Sequence, residues 1–193
     1  IVFNKKMVST TYIMENNEHC DLKDIRLMFE NFKKQNINFL EVLFSPYYWV
    51  DERYEEEFEQ LRAHAEEIAH YNENVAVKCM LGMAKEKYKA MEHPYPTLID
   101  KIEKYGYDGK QLHHIVRMRE FMERYMSGEP FGDCLISKHR EYLIKVKKNE
   151  FSLEEARIIA TIELGKMEKE VDNFLLRGKV ANPETDSFLA DWL

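Results

Sequence analysis

Turn-forming residues are scarce, with 7 glycines and 5 prolines among 193 residues. β-Sandwiches and short-repeat arrays use far more of both, so those classes are excluded. The three cysteines, Cys20, Cys79 and Cys134, are widely separated, and no C-x-x-C or Cys/His cluster occurs. A disulfide framework and a structural zinc site are therefore excluded, and the cysteines are expected to be reduced, partly buried thiols. No apolar run reaches the length of a membrane span, and the start lacks a basic-then-apolar leader, so a soluble, cytoplasmic protein without membrane partners is expected. Positive charge is in deficit, 28 Lys and Arg against 35 Asp and Glu for a net charge of −7. That balance excludes broad non-specific nucleic-acid binding and leaves room for a local basic patch. G-x-x-x-x-G-K-[ST], G-x-G-x-x-G and G-x-S-x-G are all missing, which removes P-loop, dinucleotide-binding and hydrolase-elbow readings. A His-Asp doublet is missing too, which argues against a metal phosphohydrolase.

What is present is enough for a substantial core: 45% of residues are hydrophobic, 12% aromatic and 33% charged. The length suits one full domain or one and a half small ones. Residues 7–14 are rich in β-branched and aromatic side chains and read as a strand. Residues 15–18 read as a turn, and a second extended piece covers 19–22. An amphipathic helix follows over 24–35, with Ile25, Met28, Phe29 and Phe32 on its apolar face. The run 39–44 fits a buried strand or a short helix, and periodicity does not choose between them; Pro46 ends it. Tyr47, Tyr48 and Trp49 form an aromatic cluster for which core packing is expected rather than base stacking.

Beyond this point the pattern is helical. Tyr54, Phe58, Leu61, Ala65 and Ile68 share a stripe, with His64 and His70 read as surface histidines lacking acidic partners. Helices are expected over 74–91, 97–105, 110–126 and 138–148. A capping box, Ser152 with Glu155, opens a long helix to about residue 176, followed by a polar tail. The expected fold is α+β and mostly α, a small incomplete β piece followed by a helical bundle. Residues 1–46 are assigned to the α/β region and 47–193 to the helical domain. Two strands are too few for a stable sheet. The start at Ile1-Val2-Phe3, without Met, adds to an expectation that an upstream segment, or a second copy of the chain, completes it.

Two constellations carry chemistry. In Lys104-Tyr105-Gly106-Tyr107-Asp108-Gly109-Lys110-Gln111-Leu112-His113-His114-Ile115-Val116-Arg117, helical spacing places Lys110, His114 and Arg117 within an arc of about 60°. Leu112, Ile115, Val116, Met122 and Tyr125 occupy the opposite side. Three groups able to carry positive charge near a helix N-terminus suit a phosphate. The competing reading is a solvated basic face paired with Glu103, Asp108 and Glu120. The second constellation is Glu18, Asp21 and Asp24. Carboxylates there can serve a divalent metal, or cap the following helix. Asp24 is assigned to the cap or to an ion pair, and Asp21 is the candidate catalytic and metal-binding residue.

Asp24-Ile25-Arg26 with Lys34-Gln35-Asn36-Ile37-Asn38-Phe39-Leu40-Glu41-Val42-Leu43-Phe44 resembles the block downstream of the active site in predicted nucleotidyltransferases of the DNA polymerase beta superfamily. The segment 104–117 is similar to that family's later helical signature, and Tyr125, Gly128 and the Ser152 helix follow in the family's order. The family's Gly-Ser…Asp-x-Asp core has no counterpart and would lie before Ile1. Of the family's three acids only the third is represented, at the register of His19 or at Asp21. The resemblance implies transfer of a nucleoside monophosphate from a nucleoside triphosphate to a hydroxyl, with Mg2+. Asp21 would complete the metal site or activate the acceptor, and Lys110, His114 and Arg117 would hold phosphates. The acceptor, RNA or protein, stays open. With one acid of three, this chain alone is expected to be inactive. The other reading is a non-enzymatic helical module that binds a protein or a nucleotide.

Overall fold

The computed structural model describes residues 9–13, 19–176 and 183–191, and of residues 11–13, 19 and 21 the backbone alone. The fold is α+β and mostly helical, as the composition implies. Its described contacts gather into two units, one from residues within Ile1–Ala76 and Lys179–Leu193, the other from Val77–Gly178.

In the first unit, β1 (Ser9–Ile13) pairs antiparallel with β2 (His19–Lys23), Ser9 opposite Lys23 and Thr11 opposite Asp21. The Lys23 ammonium donates to the Ser9 hydroxyl at 2.9 Å. The expected turn at 15–18, Glu18 with it, and the strand residues 7, 8 and 14 lie outside the described residues. Asp24 then ends the extended backbone and caps α1 (Ile25–Lys33). Its fully buried carboxylate accepts from the Arg26 N–H at 3.0 Å and from the Arg26 guanidinium at 2.7 Å. Helix α1 buries Met28, Phe29 and Phe32, the face its spacing predicts, with the two phenyl rings edge to face at 5.7 Å. Gln35 ends the turn with φ of 52°. A side chain seldom adopts that conformation, and this one is held by donating to the carbonyls of Phe32 and Ile68, each at 2.8 Å.

The ambiguous run 39–44 is helical. Asn36 caps α2 (Ile37–Leu40), which continues into a 3-10 turn at Glu41–Phe44. Ile37, Leu40 and Leu43 are the buried positions, and a three-residue spacing places them on one side of a helix but not on one face of a strand. Helices α3 (Glu55–Ala63) and α4 (Ala65–Ala69) meet at His64. Leu61, Ala65 and Ile68 are buried as the stripe predicts, whereas Tyr54 is exposed, because it precedes the first turn of α3. Two expectations are corrected here. His64 and His70 do have acidic partners, Glu67 at 2.9 Å and Glu73 at 3.2 Å, each three residues on. The C-terminal stretch is also more than a polar tail: α11 (Pro183–Asp191) buries Leu189, and Asp186 pairs with Lys33 at 2.7 Å.

The second unit holds most of α5 (Glu73–Met91), then α6 (Ile99–Tyr105), α7 (Gly109–Met126), α8 (Phe131–Cys134), α9 (Arg140–Lys147) and α10 (Leu153–Phe174). Helix α7 packs on both α9 and α10. It turns Leu112, Ile115, Met122 and Tyr125 into the core, while α9 supplies Leu143 and Val146. The capping box at Ser152 and Glu155 opens α10 as read from the sequence. Cys134 is buried, Cys20 and Cys79 are half-buried, and all three are free thiols. Among the described residues, no helix is long and apolar enough to cross a membrane.

The aromatic cluster is a further correction. Tyr47 and Trp49 are 89% and 86% exposed rather than packed in a core. Pro46 releases the chain from the preceding 3-10 turn, and the segment that follows has no regular structure to turn both rings inward.

Candidate functional site

Where α7 begins decides which of its side chains share a face, and four consecutive residues fix that start. Gly106 ends α6 in the left-handed region, φ 79°, and donates to the Ile102 carbonyl at 2.7 Å. Tyr107 is fully buried; its hydroxyl donates to the Phe151 carbonyl and its own carbonyl accepts from the Asn149 amide, both at 2.9 Å. Asp108, with no exposed surface, accepts from the Lys110 N–H at 3.1 Å and from the Lys101 ammonium at 2.9 Å. Its second oxygen accepts from the Gln111 amide at 3.2 Å. At Gly109 a Cβ would stand 2.5 Å from the Val146 carbonyl oxygen and 2.8 Å from Asn149 Oδ1. Only glycine lets α7 approach the end of α9 this closely. The run Gly106-Tyr107-Asp108-Gly109 is thus a wedge that seats α7 against its neighbours.

Seated this way, α7 presents Lys110, His113, His114 and Arg117 away from its buried stripe. Lys110 is exposed, and the other three are half-buried. The two imidazoles stand edge to face at 5.5 Å. Burial drives the His114 pKa down to about 4, aided by the charges of His113, Lys87, Lys110 and Arg117. Burial likewise lowers His113, with Lys147 and Arg117 adding to the effect. Helices α5, α7 and α9 therefore each direct positive charge at one pair of neutral rings. Sequence periodicity placed Lys110, His114 and Arg117 on this face; it missed His113, Lys87 and Lys147. A lysine on a distant helix carries no local signal of where it will fold. At neutral pH His114 is an uncharged N–H donor, the part expected of a histidine whose charge depends on pH. His113 Nδ1 is buried without a hydrogen-bond partner.

Two of the three acids of the solvated-face reading, Asp108 and Glu120, are engaged elsewhere. Asp108 is the α7 cap: burial pushes its carboxyl up, but Lys101, the Lys110 N–H and Gln111 outweigh this and hold it below the usual range. The same cap takes the helix N-terminus that the sequence reading reserved for an anion. Glu120 turns to the Ser137 hydroxyl and accepts from the Lys138 N–H at 2.6 Å.

The other flank of α7 lines a cleft of about 200 Å3 between Arg119, Glu123, Tyr142, Glu163 and Lys166. Arg119 reaches Glu170 at 3.1 Å and also pairs with Glu123, so this cleft is charge-compensated and offers no net attraction to an anion. Burial holds the Glu170 carboxyl above its ordinary range despite that pairing.

Asp21 lies in β2, in the first unit; its side chain lies outside the described residues, as does Glu18. Among the described residues, no group of three or more His, Cys, Asp or Glu side chains is placed to hold a metal ion. Compared with protein-family models, with curated proteins and with solved structures, the chain matches none.

Proposed function

We propose that the second unit is the phosphate-holding helical part of a cytoplasmic, nucleotidyltransferase-like protein, and that the face of Lys110, His114 and Arg117 receives the phosphates of a nucleoside triphosphate or of its acceptor. The observation that carries this reading is the crowding of Lys110, His113, His114 and Arg117 on the side of α7 away from its buried stripe, with the two imidazoles 5.5 Å apart and His113 Nδ1 buried without a hydrogen-bond partner. A multiply charged anion relieves that crowding. Lysine ammonium groups then act as mobile charges, Arg117 as a forked donor, and the imidazoles as neutral N–H donors. The triphosphate is taken as its magnesium complex. The acceptor hydroxyl, on RNA or on protein, stays unassigned. In this reading the 193-residue chain binds the triphosphate but does not turn it over, because two of the family's three acids are missing from it.

Calorimetric titration of the whole chain with magnesium ATP, and with tripolyphosphate, tests this. Binding tighter than about 1 mM is expected. Arg117→Ala should weaken it about tenfold, the value of a hydrogen bond to a charged group, with little change in melting temperature. Absence of heat with either anion, or equal binding by the variant, would return the face to a solvated surface.

A further inference from the structure

The exposed rings of the first unit are unrelated to the phosphate face and have a separate use. After Pro46 the chain has no regular secondary structure as far as Asp51. Tyr48, itself 49% exposed, lies against α3, its ring 5.1 Å from Phe58 and 4.4 Å from the Arg62 guanidinium. Its hydroxyl donates to Glu59 at 2.7 Å. Arg62 in turn donates to the Ser45 carbonyl at 2.9 Å, and the Ser45 hydroxyl accepts from the Tyr47 N–H at 3.2 Å. The backbone before Tyr48 is thereby tied to α3, and Tyr48 itself is tied through its ring and hydroxyl. Tyr47 and Trp49, its neighbours in the chain, are 89% and 86% exposed.

Two large rings on a tethered backbone are poorly explained by folding, since their apolar area stays in water. They are well suited to binding, because tyrosine and tryptophan lose little side-chain entropy on contact and the segment is already ordered. Charge selects the partner. Between residues 47 and 60 stand six carboxylates, Asp51, Glu52, Glu55, Glu56, Glu57 and Glu59, against one arginine, Arg53. Arg53 is already committed to Asp51 at 2.7 Å. A nucleic acid stacking on these rings would bring phosphates against carboxylates, which is repulsive. A guanidinium or ammonium over the same rings gains the attraction of the ring face and of the surrounding acids together.

We propose that Tyr47 and Trp49, together with the acids of α3 and its approach, form a docking surface for a lysine- or arginine-rich segment of a partner protein. The test uses the whole chain and a fluorescein-labelled peptide of alternating arginine and glycine, followed by anisotropy. Saturable binding is expected, weakened about tenfold by Trp49→Ala. Glu55→Gln with Glu56→Gln should weaken it and flatten its salt dependence. All of these side chains are exposed, so the variants should keep the parent melting temperature. No binding of the peptide, or equal binding by Trp49→Ala, would overturn the proposal. So would tighter binding of an oligothymidylate than of the peptide, or sedimentation showing a dimer of the chain that Trp49→Ala dissolves.

Discussion

Replacing Asp108 by alanine removes the α7 cap and tests whether the wedge at residues 106–109 seats the helix. The side chain is fully buried and accepts three hydrogen bonds, from the Lys110 N–H, Lys101 and Gln111. Loss of an aspartate cap costs about 1 kcal/mol. The Gln111 amide, half-buried, loses its acceptor at about 1 kcal/mol more. Lys101 is 39% exposed and can turn to water, so its pair adds less than about 1 kcal/mol. The expected total is about 2–3 kcal/mol, which for a chain of this length lowers the melting temperature by about 5–10 °C. Asp108→Asn should cost much less. Asparagine caps about as well, and the Gln111 amide can turn over so that its oxygen, now buried without a partner, accepts from the new amide. Thermal unfolding followed by circular dichroism measures both. The depressed Asp108 pKa adds a pH signature. Its contribution is present above the ordinary carboxylate range and is lost as pH falls through the lower folded value, a decline that Asp108→Ala should lack. A melting temperature for Asp108→Ala within about 1 °C of the parent would refute the wedge, because a loss of about 2 kcal/mol cannot be that small a shift. Equal losses for alanine and asparagine would show that charge rather than the cap is decisive.

Gly109→Ala should destabilise by about 1–3 kcal/mol in denaturant titration, although alanine ordinarily improves a helix, because the new Cβ would stand 2.5 Å from a backbone oxygen. His114 is neutral in the folded state down to about pH 4 and titrates near 6.5 when unfolded. Protonation therefore favours unfolding: stability is whole above pH 6.5 and falls toward pH 4, a slope that His114→Gln should flatten in melting curves taken across that range. Imidazole NMR should also show the His114 pKa rising when tripolyphosphate binds, and an unmoved value would count against the phosphate face. Arg124→Ala should cost about 3 kcal/mol by chemical denaturation. Its nearly buried guanidinium donates to Glu129 at 2.6 Å and to the Ile136 and Asp133 carbonyls, each at 2.7 Å, while Lys138 also donates to Glu129, at 3.1 Å.

Local signals in the sequence determined the caps and the helical faces. Asp24 and Ser152 cap because a short oxygen-bearing side chain before an apolar periodic run has one cheap way to satisfy the orphan N–H groups. The core face of α7, and with it the shared side of Lys110, His114 and Arg117, follows from 100° per residue and needs no other helix. The run 39–44 was undetermined, because six apolar-rich residues fit either period until Ile37, Leu40 and Leu43 find a common core. The exposed Tyr47 and Trp49 were not legible because aromatic character predicts burial only on average, whereas the contacts of Tyr48 with Phe58 and Arg62 are made only in the tertiary structure. Only the tertiary structure brings Lys87 and Lys147 to the α7 face and leaves His114 uncharged. Charge and burial act through space, and residues far apart in sequence become neighbours only when helices pack.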